Sequence, residues 1–127
     1  MASKAETIFA ASMDESQVLW LYEPEKFKWT PPDRNYTVDF KVMRRDQSFF
    51  YVEFKGYLRP QDKRKMRAIR KQYPDLDIRF VFMDAKKKIN KTSKTSYGQW
   101  AERHGYQWAE GTIPEAWLEE DGHESSK

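Results

Sequence analysis

Between Ser48 and Asp84 the spacing of the apolar residues changes period twice, and few architectures accept such a pattern. Ser48 to Lys55 (SFFYVEFK) alternates with the two-residue period of a strand, in which Val52 and Phe54 face a core while Glu53 and Lys55 share the opposite, charged face. Gln61 to Tyr73 (QDKRKMRAIRKQY) sets Met66, Ile69 and Tyr73 three and four residues apart, the spacing of a helix. Pro74-Asp75 ends that helix, and in LDIRFVFMD the alternation returns, with Leu76, Ile78, Phe80 and Phe82 on one side and Val81 on the other. Strand, helix and strand in this order predict a βαβ unit with a right-handed crossover. Upstream, Tyr36 to Met43 reads as one strand, joined to the next by the polar turn Arg44-Arg45-Asp46-Gln47. A hairpin leading into a βαβ unit gives an α/β chain with a mixed central β-sheet flanked by helices.

The remaining segments fit around that unit. Residues 5 to 16 (AETIFAASMDES) read as a short helix with Ile8, Phe9, Ala11 and Met13 as its apolar stripe, followed by a strand from Gln17 to Tyr22 and an extended piece through Phe27 and Trp29. Pro31-Pro32-Asp33 forms a stiff connector, because each proline sets its own φ and turns the preceding residue away from helix. Tyr97 to His104 predicts a second short helix with Gly105 as its C-cap, and a last helical turn lies near Trp117. Trp100, Trp108 and Trp117 are expected in the core, and His104 and His123 on the surface. At 127 residues the chain forms one domain, drawn at 1–118, with an acidic tail over 119–127.

The overall charge of +3 hides an asymmetry. From Lys41 to Lys94 there are 17 Lys and Arg against 6 Asp and Glu, a net of +11, so the flanks carry −8. A basic centre with acidic ends points to a polyanion, nucleic acid above all, as partner. Lys63, Arg64, Lys65, Arg67, Arg70 and Lys71 crowd the polar faces of the central helix, and Lys86, Lys87, Lys88, Lys91 and Lys94 follow in a loop. Arg44 and Arg45 add to these in the hairpin turn. With no cysteine, disulfides, thiolate zinc sites and cysteine nucleophiles are excluded, and two histidines give little material for a catalytic triad. No signal peptide or membrane span is visible in the sequence.

Asp39, Glu53 and Lys55 are the residues with chemical promise. The hairpin brings Asp39 beside Glu53, and two hard oxygen ligands are what a magnesium ion takes from a protein, with water and phosphate completing its octahedron. Lys55, two residues beyond Glu53, is placed to orient an attacking water or to neutralise charge building on the phosphorus. The competing reading is a cross-strand ion pair on a solvated face, with Asp39 starting a turn and Glu6 serving only the dipole of the first helix.

Taken together these segments resemble the bacteriophage endonuclease I family of Holliday-junction resolvases, small members of the PD-(D/E)xK nuclease class. The resemblance runs from about Tyr22 to Glu119. It is carried by Tyr36-Thr37-Val38-Asp39-Phe40, Val52-Glu53-Phe54-Lys55-Gly56, Tyr73-Pro74-Asp75-Leu76-Asp77-Ile78-Arg79-Phe80-Val81-Phe82, Thr95-Ser96-Tyr97-Gly98 with His104-Gly105, and Ile113-Pro114 with Trp117. It implies a restriction-endonuclease-like core in which Asp39 and Glu53 bind Mg²⁺ or Mn²⁺, Lys55 assists the hydrolytic water, and Glu6 supplies the carboxylate that the family places on its first helix. It also implies cleavage of branched, nicked or single-stranded DNA in the cytoplasm of an infected bacterium, by an intertwined homodimer. Two departures stand out: Val38 replaces the class proline, and the Arg44–Gln47 turn is enlarged. The short first helix leaves a monomeric nicking enzyme as the alternative to a paired-cut resolvase, and a non-catalytic nucleic-acid binding protein on the same fold as the alternative to both.

Overall fold

The computed structural model describes residues 4–29 and 34–121. The Pro31-Pro32-Asp33 connector, His123 and the rest of the tail beyond Asp121 lie outside them. The chain opens with helix α1 (Lys4–Glu15) and strand β1 (Trp20–Tyr22). A two-stranded antiparallel ribbon follows, β2 (Lys26–Trp29) with β3 (Arg34–Thr37). Next come β4 (Phe40–Met43), β5 (Phe49–Lys55), α2 (Pro60–Gln72) and β6 (Ile78–Phe82). Helix α3 (Tyr97–Arg103), β7 (Trp108–Glu110) and α4 (Glu115–Glu119) complete the described chain.

Five strands form the main sheet in the order β1-β4-β5-β6-β7. The first two pairings are antiparallel and the last two parallel, so the sheet is mixed, as the hairpin and βαβ patterns predict. Helices lie on both faces. On one, Met66 and Ile69 of α2 and Trp100 and Ala101 of α3 pack with Tyr51, Phe80, Phe82 and Tyr106. On the other, Phe9 and Met13 of α1 and Trp117 and Leu118 of α4 pack with Phe40, Val52, Phe54 and Val81. The β6 alternation read from the sequence is thus the division between two cores. Because both faces are covered, Glu53 is buried at 2% exposure instead of standing on a solvated face.

Three expectations change. The strand expected from Tyr36 to Met43 is broken at Val38 and Asp39. Val38 belongs to one core and Phe40 to the other, although residues two apart in an unbroken strand face the same way, so the chain turns over at Asp39. The α1 stripe is Phe9, Ala10 and Met13, with Ile8 61% exposed. The strand expected from Gln17 starts at Trp20, because Gln17 takes a left-handed φ of 59° and the Val18 N–H returns to the Met13 carbonyl at 2.9 Å, closing α1. At the start of the acidic stretch, Glu119 holds Arg45, and Glu120 holds both Arg44 and Arg79.

Arg44 and Arg79 are nearly inaccessible, with side chains 2% and 3% exposed. Their guanidinium carbons stand 4.9 and 4.6 Å from the Phe50 ring centre, and Asp77 and Glu120 neutralise both. Arg44 was expected in the hairpin turn as a contact to DNA, and nothing local announced that it and Arg79 would find acids 33 and 41 residues away. No helix among the described residues is long and apolar enough to cross a membrane.

Candidate active site

Asp39 owes its position to the break in the strand. The β4–β5 register pairs Phe40 with Val52, so Asp39 lies one step further, opposite Glu53. Its Oδ2 accepts the Phe54 backbone N–H at 3.0 Å, which ties the carboxyl to β5. Burial pushes Asp39 upward, the Glu53 charge and a hydrogen bond with Glu53 push it further, and together they carry it to about 9 against the Phe54 amide and Lys55. The Tyr36 hydroxyl is buried in the same spot, near enough to feel Glu53 but without a partner at hydrogen-bonding geometry. Burial, then Glu53, raise its pKa well above that of an ordinary tyrosine.

Lys55 ends β5, where the sheet gives way to Gly56. Burial disfavours its ammonium, but Glu53, Asp62 and Asp39 outweigh that and hold its pKa above the usual lysine value. It therefore acts as a cation rather than as a proton acceptor. Its ion-pair partner is Asp62, 3.6 Å away.

Asp39, Lys55 and Asp62 line a cleft of about 370 Å³ at the carboxyl end of the parallel strands β5 and β6, with Glu6, Tyr57 and Arg59 also among its walls, while Glu53 lies buried behind Asp39 and not in the lining. In open sheets this end is where ligands bind. Glu6 arrives there because Phe9, one turn later on α1, stacks on Phe54 and meets Phe40 edge-on, each at 5.0 Å, and seats the helix on the sheet. A larger cavity, about 510 Å³ beside Arg44 and Arg45, has no carboxylate in its lining, so its size confers no comparable chemistry.

Among the described residues no three His, Asp or Glu side chains converge tightly enough to cage a metal by themselves. A buried carboxyl pair with a shared hydrogen bond, an orphaned hydroxyl behind it and an ammonium beside it nevertheless suits a hard divalent cation that keeps several waters.

The expected cationic residues divide. Arg64, Arg67 and Lys71 of α2 are exposed, Lys63 and Lys65 partly so, and Lys86, Lys87, Lys88, Lys91 and Lys94 are exposed. Lys87 lies 4.0 Å over the ring of Tyr57, which links the lysine loop to the rim of the cleft. Arg44 is spent in the internal network just described. Arg70 is spent as well, donating to the carbonyls of Pro74, Leu76 and Gly105 and covering the Tyr106 ring. Arg45 is half exposed but paired with Glu115 and Glu119.

Sequence reasoning missed Asp62 and Tyr36. An acid at the third position of a helix is legible as a cap, but its second contact, made with a strand side chain, has no local signature. Tyr36 gave no signal beyond its place three residues before Asp39.

The sequence profile of the phage endonuclease I family matches residues 3–127. The protein named Endonuclease I of Escherichia phage T7 is 36% identical over 110 residues, covering 85% of this chain and 71% of the relative. Endodeoxyribonuclease 1 of Enterobacteria phage T3 is 41% identical over 88 residues, 69% of this chain, which spans only 55% of that relative. Among solved structures, the EndoMS-dsDNA2 complex superposes with a TM-score of 0.48 at 16% identity, over 90% of this chain and 47% of the other.

Proposed function

The chain belongs to the phage endonuclease I family, and on that premise we propose that it is a divalent-cation-dependent DNA endonuclease, selective for branched DNA, whose reaction takes place at the Asp39–Glu53–Lys55 cleft. The observation that carries the reading is the buried meeting of Asp39 and Glu53 with Lys55 beside them at the open end of the sheet. Carboxyl groups held together away from water are unfavourable unless a cation joins them, so the arrangement makes sense for binding rather than for stability.

Asp39 and Glu53 would hold Mg²⁺ or Mn²⁺, with Glu6 reaching the same cleft from α1. When bound, the ion supplies a Lewis acid for the scissile phosphate and lowers the pKa of a water. Lys55 donates hydrogen bonds from its ammonium to the attacking water or to a non-bridging phosphate oxygen, countering negative charge as it accumulates. The buried Tyr36 hydroxyl backs Glu53 and keeps water from its rear. The exposed cations of α2 and of the Lys86–Lys94 loop hold the sugar-phosphate backbone without reading base edges, which favours recognition of DNA by shape. Such an enzyme acts in the host cytoplasm during phage DNA metabolism.

The test is cleavage of a four-way junction, a nicked duplex, plain duplex and single strand with Mg²⁺, beside Glu53→Ala and Lys55→Ala. The junction is expected to be cut first and both variants to be inactive. Full activity in Glu53→Ala, or no cleavage by the unaltered protein with any divalent ion, rejects the assignment. Sedimentation mass, read with whether one or both junction strands are cut, separates a dimeric resolvase from a monomeric nicking enzyme.

A further inference from the structure

The cleft contains an acid, Asp62, to which the reading above gives no part. Asp62 stands in the first turn of α2, and its two oxygens do different things. Oδ2 accepts the Arg59 backbone N–H at 3.0 Å, capping the helix, while Oδ1 lies 3.6 Å from Lys55 Nζ. The two side chains are only 16% and 18% exposed, so solvent screens the pair weakly.

Lys55 has three carboxyl groups within its field, Glu53, Asp62 and Asp39, yet among the described residues Asp62 is the one at ion-pair distance. A lysine ammonium on a flexible stem goes to the best available anion. Were Asp62 neutral, the remaining anionic attraction on Lys55 would come from the pair that is to bind the divalent ion. An ammonium lying on that pair occupies the place of the cation and competes with it.

We propose that Asp62 is a positioning residue that holds Lys55 off the Asp39–Glu53 pair, keeping the pair open to a divalent cation and the ammonium at its side. The inference rests on the nuclease reading of the cleft. Because the anchor is the first turn of α2, the helix whose outer cations face the DNA backbone also sets where the lysine stands.

The proposal is tested by calorimetric binding of Ca²⁺, which needs no turnover, in the unaltered protein and in Asp62→Asn, Lys55→Met and the double variant. Asn keeps an oxygen for the Arg59 N–H and loses only the charge. Asp62→Asn is expected to weaken Ca²⁺ binding about tenfold, within the range of coupling between contacting charged residues. Lys55→Met should bind at least as tightly as the unaltered protein, and the double variant should recover its affinity, which a purely structural role for Asp62 would not produce. A double variant as weak as Asp62→Asn, or an Asp62→Asn with unchanged affinity, overturns the proposal. If Asp62→Asn does not fold, Asp62→Glu, which keeps the charge, carries the test: affinity within about twofold of the unaltered protein supports the proposal and a tenfold loss overturns it. Failure of the unaltered protein to bind any divalent ion or to cut DNA counts against the nuclease reading instead.

Discussion

Asp39 and Glu53 face each other one residue past the Phe40–Val52 pair of the β4–β5 hairpin, and the Asp39 carboxyl keeps its proton up to about pH 9. A cation entering the pair at neutral pH must displace that proton. Binding of Mg²⁺ or Mn²⁺ at pH 7.5 is therefore expected to release close to one proton per ion and to tighten as the pH rises toward 9. Calorimetry in buffers of different ionisation enthalpy measures the release. Asp39→Asn should release none, and Glu53→Ala should lose roughly a hundredfold or more in cleavage rate.

Acid stability is set elsewhere. Burial pushes Asp77 up, but hydrogen bonds and charges from Arg79 and Arg44 overcome this and hold it below the ordinary value of 3.8. A depressed folded pKa means that the unfolded chain takes up the proton first as pH falls. The contribution of Asp77 is thus complete above about pH 4 and is lost as the pH drops through its folded value. Thermal melts from pH 7 to pH 3 should fall steeply below pH 4, and Asp77→Asn should melt lower at pH 7 with a flatter profile.

The cations divide by what they touch. Neutralising Arg64, Arg67 or Lys71, which are exposed on α2, should weaken DNA binding, reduce the salt dependence by up to one phosphate contact each, and leave melting unchanged. Neutralising Arg44 should do the reverse, since it leaves Asp77 and Glu120 with Arg79 as their one cation in this network. Loss of one partner from a fully buried ion pair costs about 3–5 kcal/mol, but Asp77 and Glu120 are 37% and 33% exposed and stay paired with Arg79, so a loss of about 1–3 kcal/mol is expected. DNA titrations at several salt concentrations, run with denaturant melts, check both halves.

What the sequence disclosed follows from the range of the forces involved. Side-chain period is local, so β5, α2 and β6 and their parallel pairing were legible, as were the tryptophans of the core. The meeting of Asp39 with Glu53 followed from hairpin register. The fates of Arg44 and Arg70 did not, because a basic residue looks the same in the sequence whether its partner is a phosphate or a distant carboxylate or carbonyl of the chain. The turn-over of the chain at Asp39 was hidden for a related reason: Tyr36 to Met43 has an unbroken strand composition, and only packing of Val38 and Phe40 into opposite cores reveals it.

Gly98 shows how a residue of a family motif can answer to packing rather than chemistry. It lies inside α3, where alanine is normally the better helix former by about 0.5–1 kcal/mol. Here the Trp108 indole, whose Nε1 donates to Glu102, lies against it, and a Cβ would come within 2.7 Å of the ring. Trp108 is in turn packed against the core and set by its pairing with Phe80, so it has little freedom to retreat. The steric conflict outweighs the gain in propensity, because forcing a methyl into a filled contact costs about 1–3 kcal/mol. Gly98→Ala is expected to lower the melting temperature, whereas an exposed helical glycine would raise it on the same change. In a double-mutant cycle with Trp108→Ala the two losses should add to less than their sum, since the shortened side chain makes room for the methyl. Additive losses would place the cost of Gly98→Ala in the backbone and not in the indole.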